Sequence, residues 1–147
     1  MGGEGKTRVS RNKMVVRALT SPLKQHHYLP LSNLDLLLPP EYFSIFLCYK
    51  NPLNEGNDYY TFSNAITILK DALSICLVSF YIFAGEMSQN DDEPHVICNN
   101  HGVDFVEAFA DVNFRDLDFH NSHHSVDGVL IPERKHGVLA IQVSPIL

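Results

Sequence analysis

Apolar residues return at helical spacing through the middle of the chain: Phe62, Ala65, Ile66, Leu69, Ala72, Leu73, Cys76 and Phe80. Thr67, Lys70, Asp71 and Ser74 form a complementary polar stripe. Two stripes at a 3.6-residue period predict an amphipathic helix over about 61–83. Ile68, Ile75 and Val78 broaden the apolar side, so most of this helix is expected to be buried, with Leu69 and Leu73 in the core. Thr61 or Ser63 can cap its start by accepting an orphan backbone N–H. Ala84-Gly85 is expected to end it, glycine supplying a left-handed turn at low cost.

On either side the pattern changes to short runs. Arg8 to Leu19 reads as a strand with a mixed face. Ser21 to Pro30 is turn-rich, and Leu36–Leu38 is stopped by Pro39-Pro40. Tyr42 to Tyr49 is apolar and aromatic and predicts a buried strand. Asn51 to Asp58 is a loop by composition, and Gln89 to Pro94 a polar turn. His95–Cys98 and Val103–Val112 read as strands joined by the turn Asn99-Asn100-His101-Gly102. Phe114 to Asp127 is polar and histidine-rich, expected as a loop with a helical turn. Val129–Pro132 reads as a short extended piece. Gly137–Val143 reads as a final strand with Leu139, Ile141 and Val143 on one face. Many strands around one major helix define an α+β or mixed α/β fold.

With 147 residues the chain suits one domain with a real core. Apolar residues at 45% and charged residues at 19% are globular values. Residues 1–6 are expected to be disordered. The net charge of −6 excludes a generic nucleic-acid binder. The basic residues Lys6, Arg8, Arg11, Lys13 and Arg17 are read as a solvated first strand rather than a basic arm. Cys48, Cys76 and Cys98 show neither zinc nor disulfide spacing and are expected as buried thiols in a reducing compartment. The N-terminus has no signal-peptide core, and Lys6 breaks the myristoylation pattern. Ala72 to Gly85, the longest run without a charge, is shorter than the roughly 20 residues that span a bilayer. The expectation is a cytoplasmic protein with no membrane or nucleic-acid partner.

Three segments carry a resemblance. The helix running into Tyr81-Ile82-Phe83-Ala84-Gly85-Glu86 resembles the Pro-Leu-Ala-Gly-Arg segment of the plant BAHD acyltransferases, with Ile82-Phe83 in place of Pro-Leu and Glu86 in place of the basic residue. Leu31-Ser32-Asn33-Leu34-Asp35 resembles the family's Leu-Ser-x-x-Asp segment. Cys98 to Ala108 resembles its Cys-Asn-x-x-Gly-Val-x-Phe-x-x-Ala segment. The order matches, and the likeness is greatest to the hydroxycinnamoyl or coniferyl alcohol acyltransferase branch. The resemblance implies the N-terminal part of a chloramphenicol-acetyltransferase-like domain over 1–147, incomplete and without the family's second domain. It implies an acyl-CoA co-substrate, an alcohol or amine acceptor and no tightly bound cofactor.

His123 and Asp127 fit the family's catalytic His-x-x-x-Asp by spacing, in which the histidine takes a proton from the acceptor. With eight histidines in the chain the spacing arises readily by chance. In the family the motif follows the strand that Gly137–Val143 resembles, whereas His123 precedes it. Arg115 to Pro132 resembles the family's connecting loop, so no catalytic residue is expected here. His120, His123 and His124 with Asp116, Asp118 and Asp127 could gather a metal by composition, but a solvated loop is the expected reading. Asp35 is read as a turn residue, and His26-His27 is given no role. Gly5-Lys6-Thr7 is not a phosphate loop, because the first glycine and the preceding strand are missing.

Three functions stay open: an acyltransferase by descent that is truncated and inactive as this chain, a non-enzymatic module that pairs with another chain, or a small acyltransferase using His123. The edge of the Gly137–Val143 strand is expected to invite self-association.

Overall fold

The computed structural model describes residues 9–20, 27–37, 43–49, 61–88, 94–118, 120, 126, 129–132 and 137–146. The elements are β1 (Val9–Val16), β2 (His27–Pro30), α1 (Phe62–Ser79), β3 (Glu86–Met87), β4 (His95–Cys98), β5 (Val103–Ala110) and β6 (Ala140–Val143). They form two three-stranded sheets, ordered β1-β5-β6 and β2-β4-β3. The fold is mixed α/β, mostly strands with one long helix.

β5 is central because it can be buried on both faces. Val103, Phe105, Val106, Ala108 and Ala110 are all buried, the near-continuous apolar run of a strand covered on two sides. It pairs antiparallel with β1, from Val9 opposite Ala110 to Val16 opposite Val103. It pairs parallel with β6, Phe105 beside Ile141. One face of this sheet packs Val16, Val103, Phe105, Ile141 and Val143 against Ile66, Leu73, Leu77 and Val78 of α1. The other face gathers Ala110, Leu117, Val126 and Leu130 with Val9, Val129 and Ile131 beneath the segment that follows β5.

α1 begins where the sequence predicts. Thr61 Oγ1 accepts the backbone N–H of Asn64. It ends earlier, at Ser79, and a 3₁₀ turn over Tyr81–Ala84 follows. Gly85 is extended at φ −90, so the expected left-handed cap is not how the helix stops. A side chain is excluded there for another reason: a Cβ would stand 2.6 Å from the carbonyl oxygen of Ile97 in β4.

The buried face of α1 is rotated from the one expected. Ile66 and Leu77 are 3% and 2% exposed, while Leu69, Ile68 and Ile75 are 45%, 58% and 60% exposed. Leu73 is half-buried against the sheet. Lys70 and Ser74, expected on the solvent side, face the sheet. Lys70 Nζ sits 2.9 Å from Glu107 Oε1 of β5 and donates to the Met14 sulfur at 3.3 Å. Ser74 Oγ donates to the Arg17 carbonyl, and its own carbonyl accepts from Leu19 N–H. A long lysine stem lies along apolar surface while its charge reaches a partner, so a polar residue need not mark the outer side.

Other expectations also change. Phe43–Tyr49 forms no strand and is mostly exposed; of its aromatics Phe46 packs against the cluster of Ala110, Leu117, Val126 and Leu130, while Phe43 and Tyr49 lie in solvent. Cys48 and Cys76 are exposed, and only Cys98 is buried. His27–Pro30 is strand rather than turn, held by β4. Val129–Ile131 is turned, with Leu130 N–H bonded to the Val126 carbonyl. The Asn51–Asp58 loop and the Gln89–Glu93 turn lie outside the described residues.

Replacing Leu77 with alanine is expected to cost about 2–5 kcal/mol, the range for truncating a fully packed leucine. Leu69→Ala is expected to cost under about 1 kcal/mol, since its side chain is already half in solvent. Urea denaturation midpoints of the two variants check the assignment of the buried face.

Asp35 closes a tight turn as the sequence suggests. Its carboxylate accepts from the Ser32 hydroxyl at 2.7 Å and the Ser32 N–H at 2.8 Å. These bonds favour the charged form and hold its pKa below the ordinary value. A depressed carboxylate supports the turn above its unfolded pKa, and that support is lost as pH falls through the folded one. Titration of Asp35 followed by NMR should therefore move upward in Ser32→Ala.

Candidate functional site

Two of the segments that carry the family resemblance, Tyr81–Glu86 and Cys98–Ala108, meet at one place. The turn Asn99–Gly102 leaves β4 of one sheet and enters β5 of the other. Asn100 sits at φ 53 and Gly102 at φ 107, left-handed conformations that asparagine and glycine tolerate best. A Cβ on Gly102 would stand 2.5 Å from Val15 Cγ1 and 2.8 Å from the Val16 carbonyl oxygen. Only a glycine lets this turn press against the end of β1.

The residues of the turn fasten several parts of the chain. Asn100 Oδ1 accepts the N–H of Ala18, just after β1, at 3.0 Å. Gly102 N–H donates to the Ala84 carbonyl at the end of the 3₁₀ turn, at 2.9 Å. Asn99 Nδ2 donates to Glu86 Oε2 in β3, and Asn99 Oδ1 accepts the His101 N–H. His101 Nδ1 lies 3.4 Å from Glu86 Oε1. Val138 N–H donates to the Gly85 carbonyl, and Gly137 bridges to Glu86, so the approach to β6 is tied to the same spot.

A carboxylate beside an imidazole can orient it for proton transfer. Here the same carboxylate also receives Asn99, whose carbonyl is taken by the His101 backbone. The polar groups of the junction are committed to one another, and the arrangement is that of a structural clasp. The sequence offered a signal for it: Glu86 departs from the basic residue of the resembled segment, and the structure places that acid against Asn99 and His101.

The histidine-rich stretch gives less. His123, His124 and Asp127 lie outside the described residues, as do His26 and Gly5-Lys6-Thr7. His120 is exposed, and its N–H donates to Asp118 Oδ1 at 2.9 Å. Asp116 Oδ2 accepts from Asn113 Nδ2 at 3.1 Å. Among the described residues no three His, Cys, Asp or Glu side chains gather as a metal site. Val126 is buried in a cluster with Ala110, Leu117 and Leu130. Gln142 Nε2 reaches across to the Val129 carbonyl at 2.8 Å, and Arg11 Nη2 to the same oxygen at 3.5 Å. The stretch after β5 is thereby fastened to both β1 and β6.

The Transferase family model matches residues 7–145. The chain belongs to that family, the BAHD acyltransferases. Anthranilate N-benzoyltransferase protein 1 of Dianthus caryophyllus is 32% identical over 129 residues, 84% of this chain and 28% of that protein. Rosmarinate synthase of Plectranthus scutellarioides is 40% identical over 81 residues, 55% of this chain and 18% of that protein. The solved structure of vinorine synthase superposes with a TM-score of 0.57 at 20% identity, covering 93% of this chain and 34% of that one. This likeness shows the fold. The chain spans about a quarter of the length of the carnation relative.

Asn100→Ala removes the acceptor of Ala18 N–H and puts alanine at a positive φ. The expected loss is about 1–3 kcal/mol. Asn100→Gly relieves the backbone but not the lost bond, so it should fall between wild type and alanine in thermal melts. Equal melting of all three would show that the clasp contributes nothing.

Proposed function

We propose that this chain is the N-terminal framework of an acyl-CoA-dependent acyltransferase acting on an alcohol or amine acceptor. The observation that supports the reading is the clasp. The polar groups of Glu86 and of Asn99–Gly102, in two of the segments resembling family motifs, tie the two sheets and the turn after α1 together.

In such a reaction a base removes the proton of the acceptor O–H or N–H. The oxygen or nitrogen bonds to the thioester carbonyl carbon, the C–S bond breaks, and coenzyme A leaves as the thiolate, which takes up a proton. The base must lie within hydrogen-bond reach of the acceptor, and donors must meet the developing oxyanion. We assign neither role to His123 or Asp127, because His123 precedes β6 in the chain and the resembled motif follows that strand. The unaccompanied chain is accordingly read as inactive.

The named relatives support the acceptor class in words that apply to them: one is an N-benzoyltransferase of anthranilate, another a 19-hydroxy-O-acetyltransferase of minovincinine, another an alcohol acyl transferase. A hydroxycinnamoyl donor, a place in plant secondary metabolism and a cytoplasmic location belong to the same proposal. A second reading, a non-enzymatic module that pairs with another chain or with itself, is favoured by β6. Among the described residues that strand has a neighbour on one side only.

The test fuses the downstream portion of the carnation relative after Val143 and measures thioester consumption with acyl-CoA donors and an alcohol or amine acceptor. The unfused chain should show no turnover. In the fusion, His123→Ala should leave turnover nearly intact, while changing the histidine of the supplied motif should abolish it. Loss of turnover in His123→Ala, or His123-dependent turnover by the unfused chain, favours the small-enzyme reading.

A further inference from the structure

Met14 lies where β1 passes under α1, half-buried against the cluster of Val16, Ile66, Leu77 and Phe105. It stands opposite Phe105, and Glu107 is its diagonal neighbour on the same face of β5. Lys70 reaches down from α1 to both. Its Nζ is 3.3 Å from Met14 Sδ and 2.9 Å from Glu107 Oε1.

The carboxylate accounts for the ammonium being here. It does not account for the N–H directed at sulfur, because a thioether is a weak acceptor. Glu107 holds the ammonium from one side, so a charged donor is kept against Met14 from a fixed direction. Neither Lys70 nor Glu107 is exposed, and a pair so placed is screened less than one in open solvent.

A thioether that gains an oxygen becomes polar. In a packed site that change disrupts the surroundings, because the new oxygen meets apolar neighbours. An acceptor left without a donor carries its full desolvation cost. Beside Met14 the donor is already in place, and a bond from an ammonium is stronger than one between neutral groups. The three N–H groups of Lys70 suffice for the carboxylate and the sulfoxide together.

We propose that Met14 is a methionine-oxidation site that takes one oxygen atom from hydrogen peroxide, and that Lys70 is the positioning residue that accommodates the sulfoxide and keeps α1 on the sheet. The sulfur lone pair attacks one peroxide oxygen, and the O–O bond breaks. The other oxygen leaves as hydroxide and takes the proton from the oxygen now on sulfur, giving water. Sulfur gives up two electrons, and the peroxide accepts them.

The test treats the whole chain with dilute hydrogen peroxide and follows Met14 by peptide mapping. Met87, half-buried in β3 opposite Val96, is the internal reference. Dithiothreitol then restores oxidised thiols and leaves the sulfoxide in place. Met14→Leu, treated alike, measures whatever change in Tm comes from other residues. Met14 should convert in the folded chain with only a small fall in Tm beyond that control. In Lys70→Ala the fall on oxidation should be at least about twice as large, since the sulfoxide then lacks its donor. Loss of the Glu107 partner is common to the reduced and oxidised forms of that variant and cancels in the difference. Lys70→Arg, which keeps a charged donor, should restore the small fall. Where a variant does not melt cooperatively, hydrogen exchange of the β1 and α1 peptides gives the same comparison: protection should survive oxidation with Lys or Arg at position 70 and drop with Ala. Equal losses with and without Lys70 would show its contact with sulfur to be incidental to the Glu107 pair and overturn the proposal. So would a Met14 that resists peroxide under conditions that convert Met87, or β1 and α1 peptides that are unprotected before any oxidation.

Discussion

Hydrogen bonds that tie one sheet to the other gather around Asn99–Gly102 and the neighbouring Ala84-Gly85, and the rest of the structure depends on them. Short strands such as β2, β3 and β4 have few ladder bonds of their own. Placing them against the larger sheet needs donors and acceptors that bridge the gap. Gly102 N–H to Ala84, Asn100 Oδ1 to Ala18 N–H and Val138 N–H to Gly85 do this from three directions. The geometry is possible because Gly102 has no side chain to meet Val15, and because Gly85 has none to meet the Ile97 carbonyl. Two glycines thus set how closely the helix exit, the first strand and the central strand approach one another.

Around that junction the charges are arranged to satisfy the sheet rather than to work on a ligand. Lys13 pairs with Asp104 at 2.8 Å on one face of β5, and Lys70 with Glu107 on the other. Each acid interrupts an apolar strand, and each is met by a lysine, Lys13 from the neighbouring strand β1 and Lys70 from the covering helix α1. A buried or half-buried charge without such a partner would be costly.

Most element positions were readable from periodicity, and the side that α1 turns inward was not. The start of α1 at Thr61, the strands β4 and β5, and the phase of Leu139, Ile141 and Val143 follow from local chemistry. The buried face of α1 does not, because Ile68, Leu69 and Ile75 are as apolar as Ile66, Leu73 and Leu77. A helix with two greasy sides gives no rule for choosing between them. Lys70 misled for a related reason: its charge is answered from Glu107, 37 positions away. Phe43–Tyr49 has the composition of a buried strand, but only Phe46 is half-buried against the core and the rest is exposed. The clasp was half legible: the glycine and asparagines of the turn were visible, whereas the reach of Asn100 to Ala18 depends on the fold being closed.

The register of the larger sheet also has a consequence for how the chain acquires its shape. Val9 stands opposite Ala110, so the first strand has no partner until residue 110 has left the ribosome. At roughly 5–20 residues per second, β1 waits some seconds for β5. Closing a loop of that size carries an entropy cost that grows as the logarithm of its length, and contacts so distant in sequence make folding slow. α1 forms from local bonds within that interval, before the sheet it packs on exists. Nascent chains would then hold a helix with apolar residues exposed around most of its circumference, the kind of surface that chaperones engage.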